Sequence, residues 1–231
     1  MASPLINLMR LIQFTDSTFP VGTFSFSNGL ESAAYENLVT DAKSLEQYTR
    51  AASLQAAYSD GIAALNAYKA VNAGDYDTVT LTDRRLMLFK MNDEARLMLR
   101  RMGKKLAELA VRFYPDNEIC RRFLKDIETD ATPGSFPVAQ GVIFAVAGLS
   151  PEELFSSHQY GVINMILAAA LRCVRVSHLD TQEILLRLTD EAEKLYPEVS
   201  EMEFEDMNAF VPEMDIMASL HEKGKMRMFM N

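Results

Sequence analysis

The sequence predicts an all-α protein: a single domain over residues 1–231, folded as a compact bundle of about eight helices. Apolar residues recur at helical spacing along nearly the whole chain, and no β-branched alternation bounded by turn residues appears. Helices are expected at about 4–15, 42–72, 82–113, 117–129, 136–147, 151–175, 180–195 and 212–222.

Capping chemistry and Pro or Gly breaks mark the boundaries. Gly74 and Gly148 suit helix C-termini. Pro115 closes the helix that starts near Thr82, and Pro137 opens another. Ser150-Pro-Glu-Glu153 combines a capping Ser, a Pro in the first turn and a Glu three residues on. Asp180-Thr-Gln-Glu183 repeats that logic, and Pro197 ends the helix it begins. Residues 154–171 contain no Asp, Glu, Lys or Arg, yet Ser156, Ser157, His158, Gln159 and Asn164 interrupt them, which suits a buried central helix rather than a membrane span. Two stretches lack helical period, 16–41 and 196–211, and a flexible tail is expected over 222–231.

The chain is 48% hydrophobic, enough for a sizeable core, and its net charge of -9 argues against nucleic acid or an anionic membrane as the main partner. Charge is unevenly placed. Arg84 to Lys125 carries twelve Lys or Arg against five acids, whereas Glu198 to Asp215 carries seven acids and no base. These are either solvated faces or complementary docking surfaces. Cys120 and Cys173 stand far apart in apolar contexts and read as core thiols in a reducing cytosol. The N-terminal residues lack a signal-peptide pattern, so a cytoplasmic protein is expected.

Phe19 to Glu31 is the first candidate site. Its three Phe, two Ser and closely spaced Gly cannot make an ordinary amphipathic helix. Gly22 suits a tight reversal, and Ser27 or Asn28 can cap a helix starting near Leu30. The aromatics either plug the core or offer a surface to a protein partner. At the other end Met214, Met217 and Leu220 share a helical face, and Met226, Met228, Phe229 and Met230 follow. That tail either docks on its own domain or binds another chain, and Lys223, Lys225 and Arg227 suit a carboxylate-bearing partner.

His158, His178 and His221 have no second His or Cys at ligand spacing, so no metal motif is read and no cofactor is expected. No phosphate-binding loop and no Gly-x-Ser-x-Gly elbow occurs, so no catalytic residue is assigned. Two rivals stay open. One is a helical enzyme with a site assembled from Glu94, Arg96, His158 and His221; the other is a direct carrier of a metal ion.

Five blocks in order resemble the urease accessory protein F family: Leu11 to Gly22 with Gly29-Leu-Glu31; Glu94-x-Arg96 with Gly103; Gly141 with Gly148; Asp215-Ile through His221-Glu222; and Arg227-x-Phe-Met-Asn231. The chain departs from the family at Ser177-His-Leu-Asp-Thr-Gln182, where a Pro-Leu-Gly-Gln run is common, at Phe24, which lacks a relative's hydroxyl, and at Asn231, where Ser is usual. The resemblance implies a non-enzymatic, homodimeric adaptor. It would sit between the urease GTPase and the scaffold accessory protein on apo-urease, promoting nickel insertion and modulating GTP turnover; the rival carrier would then be a direct nickel-binding one. The partner-binding residues it implies are Phe19, Pro20, Gly22, Phe24, Ser25, Glu31, Glu94, Arg96, His221, Glu222, Arg227 and Phe229.

Overall fold

A computed structural model describes residues 3–208, 211–222 and 227–229. The expectations for Lys223, Lys225, Met226, Met230 and Asn231 therefore fall outside the described residues. Among those residues there are eleven α-helical segments and no strand: α1 Pro4–Thr15, α2 Leu30–Tyr35, α3 Ala42–Ala56, α4 Ile62–Ala73, α5 Tyr76–Leu88, α6 Asp93–Phe113, α7 Glu118–Glu128, α8 Phe136–Ala147, α9 Pro151–Cys173, α10 His178–Val199 and α11 Pro212–Glu222. The segments α3 and α4 run on through a π-turn at Ala57–Gly61, so they make one rod, as the reading of 42–72 expects.

Three details depart from the expected boundaries. The helix expected at 82–113 is two helices, because Asp75 caps α5 through Thr78 N and Asn92 caps α6 through Ala95 N. Next, α10 starts at His178 under a reciprocal cap of Ser177 and Asp180, not at Asp180, and Pro197 lies inside its last turn. Neither Ser27 nor Asn28 caps α2. Gly29 is the cap, in the left-handed region at φ 78°.

The middle of the chain supplies the main core. There α4 lies against α8, α8 against α6, and α6 against α7, around Leu65, Leu86, Phe123, Ile143, Phe144 and Phe155. A second cluster joins α2, α3, α9, α10 and α11 through Leu30, Leu45, Ile163, Ile166, Ile184 and Met217. The helix α9 belongs to both clusters, as its uncharged sequence suggested. The close approach of α6 and α8 rests on Gly103, where a Cβ would lie 2.0 Å from Gly134 O. Beside it, buried Asp83 accepts from Thr132 Oγ1, Gly134 N and Ser135 N at 2.7, 2.7 and 2.9 Å, which fixes the entry into α8.

The acidic stretch after α10 is folded onto the bundle. Asn66 Nδ2 donates to Met202 O, Lys69 Nζ to Ser200 O, and Arg85 lies over the Phe204 ring. Among the described residues no helix is long and apolar enough to cross a membrane.

Candidate functional site

The two sequence segments singled out as candidates meet in space. The helix α2 carries Glu31 in its first turn, α6 carries Glu94 in its first turn, and α11 ends in His221 and Glu222. Gly29 lets the chain pass closely under α11: a Cβ there would lie 3.0 Å from Tyr48 Oη and 3.2 Å from Ala218 N, at a φ that side chains rarely adopt. Tyr48 Oη in turn donates to Asn28 O at 2.8 Å. On α11 the face turned inward is Met214, Met217, Ala218 and His221, whereas Leu220 is exposed, against the expectation that it would share the face of the two Met residues.

His221 is buried between two carboxylates. Its Nδ1 lies 2.9 Å from Glu94 Oε2, and its Nε2 lies 2.9 Å from Glu31 Oε2. Arg227 Nη1 donates to Glu94 Oε1 at 2.8 Å, and the backbone N–H groups of Met228 and Phe229 donate to the two Glu31 oxygens at 2.9 and 3.2 Å. An ionised carboxylate only accepts. With both Glu ionised, the ring therefore holds both protons, and two negative groups face two positive ones.

Burial works to raise the Glu31 carboxyl, but the bonds from Met228, His221 and Phe229 prevail and hold it below the usual range. Glu94 goes the other way, because its burial outweighs His221 and Arg227. Docking of residues 227–229 through ionised Glu31 is thus retained above the ordinary Glu range and lost as pH falls through the lowered value.

Glu222 has a separate task. Its Oε1 accepts from Asp93 N and Glu94 N at 2.9 and 3.2 Å, so α11 closes on the positive end of α6. Nearby, Asn92 Nδ2 donates to Asp215 Oδ1 at 3.0 Å.

The aromatic residues divide. Phe19 is half-buried and packs on Phe14 and Phe113, with ring centroids 5.6 and 6.5 Å apart. Phe24 is 72% exposed on the short 3-10 turn Thr23–Ser25, which Gly22 initiates at φ 90°. Pro20 is exposed and Ser25 half-exposed on the same segment. Phe229 is buried. Arg172 of α9, which the sequence did not single out, has its guanidinium 4.4 Å from the Phe24 ring centroid and 3.9 Å from that of Phe229, and it donates to Phe24 O. Arg96 stays apart from the cluster, exposed and paired with Asp93 at 3.0 Å.

A second polar group lies deeper, in a cavity of 180 Å³ beneath the segment that carries Phe14, Phe19 and Phe24. His158 lines it, but Glu94, Arg96 and His221 do not, so the pocket that the rival enzyme reading requires is not formed by those four residues. Among the described residues no three of His, Cys, Asp or Glu converge in a metal-holding group. Burial pushes His158 down to about 4, with Lys90 acting in the same sense and Asp60 opposing.

The folded chain therefore keeps this ring neutral while the unfolded chain protonates near 6.5, so stability falls as pH drops from 6.5 towards 4, by at most roughly 3 kcal/mol. Urea unfolding between those pH values is expected to show this loss, and His158→Gln to flatten it; an equal slope in the variant would assign the acid sensitivity to other groups.

A UreF family model matches residues 39–189. Urease accessory protein UreF 2 of Brucella canis is 46% identical over 227 residues, covering 98% of this chain and 93% of the relative. The urease accessory proteins UreF of Photorhabdus laumondii and Yersinia enterocolitica are 41% and 40% identical over 226 residues; the matches cover 98% and 97% of this chain and 99% and 98% of the relatives.

Proposed function

Because the chain belongs to the UreF family of urease accessory proteins, we propose that it is a non-catalytic adaptor of urease maturation. It joins the urease GTPase to the scaffold accessory protein on apo-urease, promotes nickel insertion and modulates GTP turnover. It does so in the cytoplasm as a homodimer. The relatives' names describe accessory proteins, not enzymes.

The observation that carries this reading is the exposed Phe24 ring, held by Arg172 beside the docked residues 227–229. An aromatic side chain stacked on a fixed cation and facing solvent has the form of a binding anchor. The buried Glu31–His221–Glu94 cluster beneath it, with the exposed Arg227 bonded to Glu94, keeps both segments in place. Binding geometry, rather than a nucleophile or a ligand set, is what this surface supplies.

The test is co-purification with the urease GTPase and the scaffold protein, with light scattering to give the mass. A complex containing two copies of this chain is expected. Phe24→Ala is expected to lower capture at least tenfold while melting stays unchanged, since the ring is exposed. Capture undiminished by Phe24→Ala would remove Phe24 from the interface, and no capture by the unaltered chain would overturn the adaptor reading.

A further inference from the structure

The cavity beneath the Phe-rich segment contains buried polar atoms without hydrogen-bond partners, and three of the four named below only accept. Asp60, Ser157 and His158 are 6%, 3% and 4% exposed, and Asp60 Oδ1, Ser157 Oγ, His158 Nε2 and Gln55 Oε1 are all left unsatisfied in its wall. Such atoms are costly unless something fills them. Asp60 sits in the π-turn that interrupts the rod of α3 and α4, an irregularity often found at functional sites. Its other oxygen is used, taking Lys90 Nζ and Ser59 Oγ.

His158 Nδ1 lies 2.8 Å from Gln140 Oε1, and the amide oxygen can only accept, so Nδ1 carries the ring proton and Nε2 presents a lone pair. Carboxylate, amide oxygen and imine nitrogen all accept; the Ser157 hydroxyl can do either.

A ligand that only donates therefore fits, and one that brings its own carbonyl does not. The lining charges agree: among the described residues, carboxylates of Asp16, Asp60 and Asp215 face the cations Lys90 and Arg172, one negative charge in excess. We propose that this cavity is a binding site for a small monovalent nitrogen cation, an ammonium head group, held by Asp60 Oδ1, Gln55 Oε1, His158 Nε2 and Ser157 Oγ. An ammonium has donors on every side and no acceptor, so it satisfies the set and cancels the excess charge. The free ion and the head of an alkyl amine, such as a partner's lysine, share this chemistry.

The experiment follows the imidazole nitrogens of the 15N-labelled full chain while ammonium chloride, methylammonium or n-butylammonium is added at constant ionic strength. A saturable shift of His158 Nε2 is expected. Tighter binding of ammonium identifies the free ion as the ligand, and tighter binding of n-butylammonium identifies a head group on a stem. Asp60→Asn is expected to weaken binding at least tenfold; should that variant fail to fold, Gln55→Leu, at a half-exposed position, serves the same purpose.

No saturable shift would mean that the cavity takes only water and would overturn the proposal. Equal binding of potassium, or a shift caused by nickel alone at lower concentration, would overturn it too. The adaptor reading stands or falls separately, on partner capture.

Discussion

His221→Ala is expected to cost about 3–5 kcal/mol and to abolish partner capture. The substitution leaves the Glu31 and Glu94 carboxylates inside the cluster with Arg227, among the described residues, as the one remaining side-chain cation bonded there. Removing one member of a buried ionic group costs more than the group itself contributes, because the charges left behind have lost both water and partner. For a chain of this size the loss corresponds to a fall in melting temperature of about 10 °C. Glu94 eases the loss by taking up a proton, since its carboxyl is already raised by burial; Glu31, with two backbone N–H donors, has less reason to do so. The variant should therefore be less penalised at pH 5 than at pH 8, and denaturant unfolding at both values checks this. A cost below about 1 kcal/mol would show that water enters the cluster and that the pairing resembles a surface ion pair.

Gly103→Ala is expected to be comparably damaging, at about 3 kcal/mol or more, for a steric reason. The added Cβ would fall 2.0 Å from Gly134 O, 2.6 Å from Ser135 C and 2.7 Å from Phe136 N, all backbone atoms with no rotamer to change. Relief requires α6 and the start of α8 to separate, which disturbs the three donors that Asp83 holds in place. Helix propensity alone favours Ala over Gly by about 1 kcal/mol. A stabilised variant would therefore mean that the two helices part without loss. Thermal unfolding decides between these outcomes.

Helix existence was legible wherever a cap and a period agreed. Ser150 with Glu153 starts α9, and Gly74 and Gly148 end α4 and α8 as expected. The 82–113 reading failed because apolar spacing continues across residues 89–92, and Asn92, the cap at the break between α5 and α6, has no flanking Pro or Gly. Pro197 misled in the other direction: it occupies the final turn of α10, whose end is set by Ser200.

At the site, the sequence supplied the members but not the arrangement. Glu31, Glu94, His221, Glu222, Arg227 and Phe229 assemble, while Arg96, only two residues from Glu94, lies on the opposite side of the helix turn and pairs with Asp93. A two-residue step on a helix turns the side chain well away from its neighbour, which would have separated the two roles in advance. Arg172 gave no signal, because a cation between two rings distant in sequence has no local pattern.

The bonds from Met228 and Phe229 back to Glu31 close a loop of nearly the whole chain, with sequence separations of 197 and 198. Such a contact is entropically expensive to form early, while the α4–α8 and α6–α7 packing needs far shorter closures. In refolding the cluster is therefore expected to form late, added to a bundle whose central helices have already condensed. Weakening it changes how fast the native state comes apart more than how fast it forms, which makes the meeting point of the two end segments a determinant of the protein's lifetime.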